Sequence, residues 1–123
     1  MYDDTDPLLA RVREVCLALP EATEVESWGR PTFRAGKMFG MFTGDDEHES
    51  ALLFIADPDE REALVHDPRC YLPPYFAGAG WLGLDLLVAP VDWVEVAELV
   101  ETSYRRVALR RMVKALEAAR TPP

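Results

Sequence analysis

The chain has 123 residues, 49% of them hydrophobic and 28% charged, with 22 acids against 13 bases and a net charge of −9. That length lets one domain bury roughly two thirds of its unfolded surface without disulfides or metal. The composition is that of a soluble globular protein and excludes disordered, fibrous and membrane-spanning classes, while the acid excess opposes nonspecific attraction of the whole molecule to nucleic acid or anionic membranes.

The N-terminal MYDDTDPLLA is acidic where a secretory leader would be basic, so a cytoplasmic protein is expected. Asp6-Pro7 opens a helix to about Leu19, the aspartate accepting from free backbone N–H groups. Cys16 falls on its apolar stripe of Leu8, Val12, Val15 and Leu19. Cys16 and Cys70 lack metal-like spacing and read as reduced thiols.

The pattern then alternates, with Gly and Pro as punctuation, giving strands at Val25–Trp28, Thr32–Ala35, Met38–Phe42 and Ala51–Ile55. Trp28-Gly29-Arg30-Pro31 reads as the break between the first two, because Pro31 restrains Arg30 and cannot donate to a ladder. Gly36-Lys37 fits a two-residue hairpin turn with glycine first. That register pairs Ala35 with Met38 and Phe33 with Gly40. It predicts a core face of Phe33, Ala35, Met38 and Phe42, and an outer face of Thr32, Arg34, Phe39 and Met41, where Arg34 and Phe39 form a cation–π pair. The acidic stretch Gly44-Asp45-Asp46-Glu47-His48-Glu49 reads as a solvated turn, since it lacks the ordered spacing of a calcium loop.

Asp57-Pro58-Asp59-Glu60 opens a second, short helix to about His66, which complements the dipole at its end; Asp67-Pro68 stops it. A loop, Pro73 to Gly80, precedes a last strand at about Trp81–Val88. Gly78 to Gly83 matches G-x-G-x-x-G but runs into a β-like segment rather than from a strand into a helix, so no cofactor is assigned. Tyr71, Tyr75, Phe76 and Trp81 crowd this region and are expected to meet residues 28–31 across the fold. Asp92-Trp93-Val94-Glu95 is a capping box, with Val91 and Val96 as a hydrophobic staple, and no Gly or Pro interrupts the chain again before Pro122. Trp93, Val96, Ala97, Val100, Tyr104 and Val107 form one apolar stripe; Leu109, Met112, Val113 and Leu116 form another.

Charge is unevenly spread: residues 1–91 hold 17 acids and 7 bases, whereas residues 92–123 hold 5 acids and 6 bases. Arg105 lies four residues after Glu101 and is neutralised by it. Arg106, Arg110 and Lys114 recur every fourth residue without such a partner. No G-x-S-x-G, H-E-x-x-H, C-x-x-C or P-loop occurs, and no catalytic residue, metal ligand or cofactor site is assigned.

Trp28-Gly29-x-Pro31-x-Phe33, a Lys-Met-Phe strand, Asp57-Pro58, Pro74-Tyr75 ahead of Gly80-Trp81, Asp92-Trp93 and Ser103-Tyr104-Arg105 follow one another in this order. In these motifs the chain resembles the MmcQ/YjbR family, from about Leu8 to Leu116. The resemblance implies an α+β fold, a twisted antiparallel sheet with packed helices in the order α-β-β-β-β-α-β-α, as one domain over residues 1–123 with a core of about 6–119. Family members are commonly labelled DNA-binding because their paired hairpins look like nucleic-acid-binding wings, an analogy of fold.

The expected role is therefore binding without catalysis. Weak nucleic-acid contact would fall to Arg30, Arg34, Arg106, Arg110, Arg111 and Lys114. The alternative is a protein or peptide partner held by Trp28, Tyr75 and Trp81, with core packing as the competing role for Trp28 and Trp81.

Overall fold

A computed structural model describes residues 2–44 and 48–120. The three aspartate caps read from the sequence are all in place. Asp6 accepts from Leu8 N–H at 2.8 Å and starts α1, Pro7–Leu17; Asp57 accepts from Asp59 N–H at 2.8 Å and starts α2, Pro58–Val65. Asp92 accepts from Val94 and Glu95 at the head of α3, Trp93–Val107.

The strands are β1 Thr23–Ser27, β2 Arg30–Ala35, β3 Lys37–Thr43, β4 Ala51–Ile55, β5 Cys70–Tyr71 and β6 Trp81–Asp85. They form one antiparallel sheet in the order β1-β2-β3-β4-β6-β5. The long hydrophobic run expected to reach Val88 ends as strand at Asp85, where the Asp85 carboxylate accepts from Leu87 N–H and turns the chain. The two-residue β5 carries no alternation from which it could be read.

Beyond Asp92 the structure departs from the expectation of a single helical stretch. Ala108 adopts an extended backbone (ψ 146°), and a separate helix α4, Arg110–Arg120, follows. The change of apolar stripe at Leu109 marks this break. By folding back, α4 brings Met112 and Leu116 into the same core as Val96, Val100 and Tyr104 of α3. Arg105 bridges the pair, reaching Glu101 within α3 and Glu117 on α4, and Arg120 returns from α4 to Glu101.

That core lies on one face of the sheet, where Leu9, Val12 and Cys16 of α1 meet Phe33, Phe39, Phe42, Leu52, Phe54 and Leu82. The other face holds a smaller cluster, Met41, Leu53 and Trp81, flanked by Met38, Ile55, Tyr71 and Phe76; no residue of an α-helix belongs to it.

The β2–β3 register corrects the sequence expectation. Phe33 does pair with Gly40, but the register then shifts, so that Arg34 faces Met38 and Ala35 faces Lys37 around Gly36 alone, at φ 79°. The extra residue is a β-bulge. It turns Phe39 toward the helices with Phe42, while Met38 joins the opposite cluster. Phe39 lies edge-on to Tyr104 at 5.5 Å. The Arg34–Phe39 cation–π pair is consequently absent: Arg34 instead bonds Ser27 Oγ at 3.1 Å and Thr32 Oγ1 at 3.4 Å. Desolvating Phe39 in the main core outweighs an exposed pair of about 0.5–1 kcal/mol.

Candidate functional site

Two segments meet over the helix-free face. The first is the β1–β2 connection, closed by the pair Ser27 and Arg30, with Trp28 at φ 55° and Gly29 at φ 72°. Positive φ at both central residues is the signature of a type I′ turn, whose usual occupants are Asn and Gly. Tryptophan at its first position holds a large ring at a backbone conformation that costs it about 1–2 kcal/mol. The ring is 70% exposed.

The second segment is the loop before β6. Pro73 is buried, and its carbonyl accepts from Phe76 and Ala77 N–H, which curls the chain into a 3₁₀ turn at Ala77–Ala79. Arg61 of α2 secures that turn by donating to the Ala77 carbonyl at 3.2 Å. Tyr75, at the crest, has φ 69° and is fully exposed. Phe76 packs inward and contacts two indoles: its ring stands edge-on to Trp28 at 6.2 Å and to Trp81 at 6.0 Å. Trp81 is buried beneath it, so it supports the site rather than presenting a contact surface.

Between the segments lie two adjoining hollows. One, of about 340 Å³, is lined by Trp28, Arg30, Met41, Tyr75 and Phe76. The other, of about 220 Å³, extends past Arg30, Tyr75 and Phe76 toward Thr43, Leu53 and Pro74. Arg30 is common to both. Its guanidinium makes one long contact, to the Gly44 carbonyl at 3.4 Å, and meets no carboxylate among the described residues. The acids of β1 project the other way: Glu24 pairs with Arg13 at 2.8 Å and Glu26 accepts from Tyr2 at 3.0 Å.

The residues singled out from the sequence thus divide into two groups. Trp28, Arg30, Arg34, Tyr75 and Trp81 gather at the helix-free face. Arg106 lies on α3, Arg110 and Lys114 on α4, all exposed, so their four-residue spacing crosses the break at Ala108 and is not a row on one helix. Arg111 is engaged by Glu21 at 3.0 Å, and this guanidinium holds the Glu21 carboxyl below its ordinary value. With Arg105 and Arg120 also paired, the basic tail reduces to Arg106, Arg110 and Lys114.

Other sequence features find structural explanations. A Cβ at Gly83 would sit 2.4 Å from the Tyr71 ring, which packs close against that backbone, and Gly80 adopts φ 89° to enter β6. Those glycines serve close approach and a turn. Residues 45–47 of the acidic turn lie outside the described residues, but His48 is not solvated as expected: it stacks on Tyr71 at 3.6 Å and 2°. His66 is the exposed C-cap of α2. Both cysteines are free; burial pushes the Cys16 thiol up and Cys70 up to about 11. Among the described residues no group of three or more His, Cys, Asp and Glu is placed to hold a metal ion, and no helix is long and apolar enough to cross a membrane. Met41 and Pro73 were not singled out, because an apolar strand residue and a loop proline carry no sequence mark of a cleft.

The fold is similar to that of a Deinococcus radiodurans protein, DR2400, solved by crystallography and assigned to the domain family DUF419: TM-score 0.69, 21% identity, covering 89% of this chain and 87% of that one. No curated protein matches the sequence. The family model YjbR matches residues 17–106, which run from the end of α1 through most of α3 and include every residue of the aromatic cleft. The chain belongs to the YjbR family.

Proposed function

We propose that this YjbR-family chain is a non-catalytic binding domain that takes a protein or peptide partner in the cleft between Trp28 and Tyr75. The observation that carries the reading is the conformation of these two residues: both are bulky, both have positive φ, and both are exposed where they line one hollow with Phe76. Such backbone strain costs about 1–3 kcal/mol per residue and gathers at functional sites. Large aromatics beside an arginine are also the residue types that supply most binding energy at interfaces. Two free thiols, one of them fully buried, suit a reducing cytoplasmic setting.

Nucleic acid is the second reading, supported by Arg106, Arg110 and Lys114, which have no ion-pair partner among the described residues and flank the α3–α4 junction. Affinity capture with and without nuclease separates the two. A protein partner kept after nuclease treatment, and lost on Trp28→Asn or Tyr75→Asn, is the expected result. Asparagine tolerates positive φ, so neither change strains the backbone. Capture that disappears with nuclease, or with Arg110→Glu and Lys114→Glu while surviving Trp28→Asn, overturns the proposal.

A further inference from the structure

The chemistry of the cleft narrows what can occupy it, and this step rests on the reading of the cleft as a binding site. We infer that the occupant is an extended, proline-rich protein segment carrying a carboxylate.

The polar side chains of Trp28, Arg30 and Tyr75 at the two hollows all carry donors. The Trp28 indole N–H and the Tyr75 hydroxyl have no hydrogen-bond partner among the described residues, and the Arg30 guanidinium has only the long contact to Gly44. Indole and guanidinium donate and cannot accept. A matching ligand is rich in acceptors and poor in donors. Proline has a carbonyl but no N–H, and a polyproline II segment leaves its carbonyls free because it has no internal hydrogen bonds. It also arrives already extended, which suits a shallow cleft that can offer little to offset ordering.

The other common modes of peptide recognition fit less well. A helix has all but its last four carbonyls satisfied internally, so along most of its length it would leave the cleft donors unmet. Strand addition needs a free sheet edge, whereas the floor here is Met41 on β3, flanked on both sides by β2 and β4.

Charge fixes the remaining feature. Strand pairing places Arg30 and Arg34 on the helix-free face of β2, and the neighbouring acids Glu24 and Glu26 are engaged elsewhere. Arg34 is bonded to Ser27 and Thr32, so Arg30 is the cation left for a ligand within the cleft. One guanidinium matches one carboxylate and prefers it to a neutral acceptor. A nucleic-acid strand would bring a negative charge with every nucleotide to a chain of net charge −9, and a peptide need bring only one.

The test uses two displayed libraries of twelve-residue peptides selected on the full chain, one with a fixed Pro-x-x-Pro and one fully random. Proline together with Asp or Glu is expected to enrich in both. Synthetic versions of the enriched peptides should lose about tenfold in affinity, equivalent to 1.4 kcal/mol, when the acid becomes its amide. That difference should vanish in Arg30→Leu, and binding should be lost in Trp28→Asn and in Tyr75→Asn, with urea unfolding confirming that each variant folds. Enrichment of proline-free, helix-forming or Lys-rich peptides that still need Trp28 overturns the occupant and leaves the cleft standing as a binding site. Absence of enrichment, or affinity indifferent to both Trp28→Asn and Tyr75→Asn, removes both. Oligothymidine binding more tightly than any selected peptide at the same salt, and depending on Trp28, reassigns the cleft to nucleic acid and overturns the inference.

Discussion

The Ser103 hydroxyl donates to the Phe39 carbonyl at 2.5 Å, across 64 residues of sequence, and accepts from Ile55 N–H at 2.9 Å. Strand pairing between β3 and β4 ends at Gly40 and Phe54, so Phe39 and Ile55 would form the next rung. The bulge at Phe39 prevents it, and a serine from α3 bridges the two backbone groups instead. Ser103 itself is fully buried. Ser103→Ala leaves a buried acceptor and a buried donor unmet, each costing about 1–3 kcal/mol. A loss of about 2–4 kcal/mol is expected in urea denaturation, against less than about 0.5 kcal/mol for the exposed Glu98→Ala. Equal losses would show that the bridge contributes nothing.

How far the sequence reveals this arrangement depends on the range of the interactions involved. Helix starts are local chemistry, and Asp6, Asp57 and Asp92 announced theirs. The bulge is not local: the hairpin signal at Gly36 is compatible with two registers, and the choice is made by Phe39 finding Tyr104, a residue of α3. The same holds for the site. Trp28-Gly29 and Pro74-Tyr75 are visible as aromatic turns, and their meeting was expected. Which rings face outward depends on Phe76 lying over Trp81, and no residue pattern encodes that. The basic row misled because the helix break at Ala108 contains no Gly or Pro, and because Glu21, the partner of Arg111, lies 90 residues away.

Trp28 and Trp81 both stand edge-on to the Phe76 ring but differ in burial, and should respond differently to truncation. Trp81 is 6% exposed, and Trp81→Ala is expected to cost about 3–5 kcal/mol, the range for emptying a buried large aromatic. Trp28→Asn gives up an edge-on contact of about 0.5–1.5 kcal/mol. It relieves a left-handed backbone cost of about 1–2 kcal/mol. The two nearly cancel, so stability should stay within about 1 kcal/mol of the parent. Chemical unfolding of both variants checks the contrast, and a large loss for Trp28→Asn would make that ring structural.

Acid stability should reflect Asp67. Its carboxylate holds Arg69 through two oxygens, at 2.7 and 3.1 Å, and accepts from the Arg69 backbone N–H at 2.9 Å. These bonds, led by the guanidinium, lower its pKa below the ordinary 3.8. The unfolded chain therefore binds this proton more readily than the folded one, and the stabilisation is complete above pH 3.8 and fades as pH falls through the lower folded value. Asp67→Asn is expected to reduce stability by about 1 kcal/mol at pH 7. Unfolding curves for parent and variant should converge in acid. A constant gap from pH 7 to pH 2 would show that the ion pair is not its source.

The salt dependence of DNA binding decides whether the basic residues act together. Arg30 and Arg34 belong to the helix-free face, whereas Arg106, Arg110 and Lys114 lie on the helices, with Arg111 already neutralised by Glu21. A duplex lying along one surface meets one group or the other, about three phosphates at most. Counterion release at roughly −0.9 per contact then gives a slope near −2.7, or about a fortyfold loss of affinity between 50 and 200 mM salt. Acids elsewhere on the chain are screened beyond about 8 Å at physiological salt, so the local cluster can act, though weakly. High-micromolar affinity or weaker for random duplex near 150 mM salt is expected, measured by fluorescence anisotropy. Arg110→Glu with Lys114→Glu should flatten the slope, and Arg34→Glu should leave it unchanged. A slope near −5 that both changes reduce would mean that the duplex engages the two faces at once, which the separation of these residues across the sheet does not permit without rearrangement of the fold.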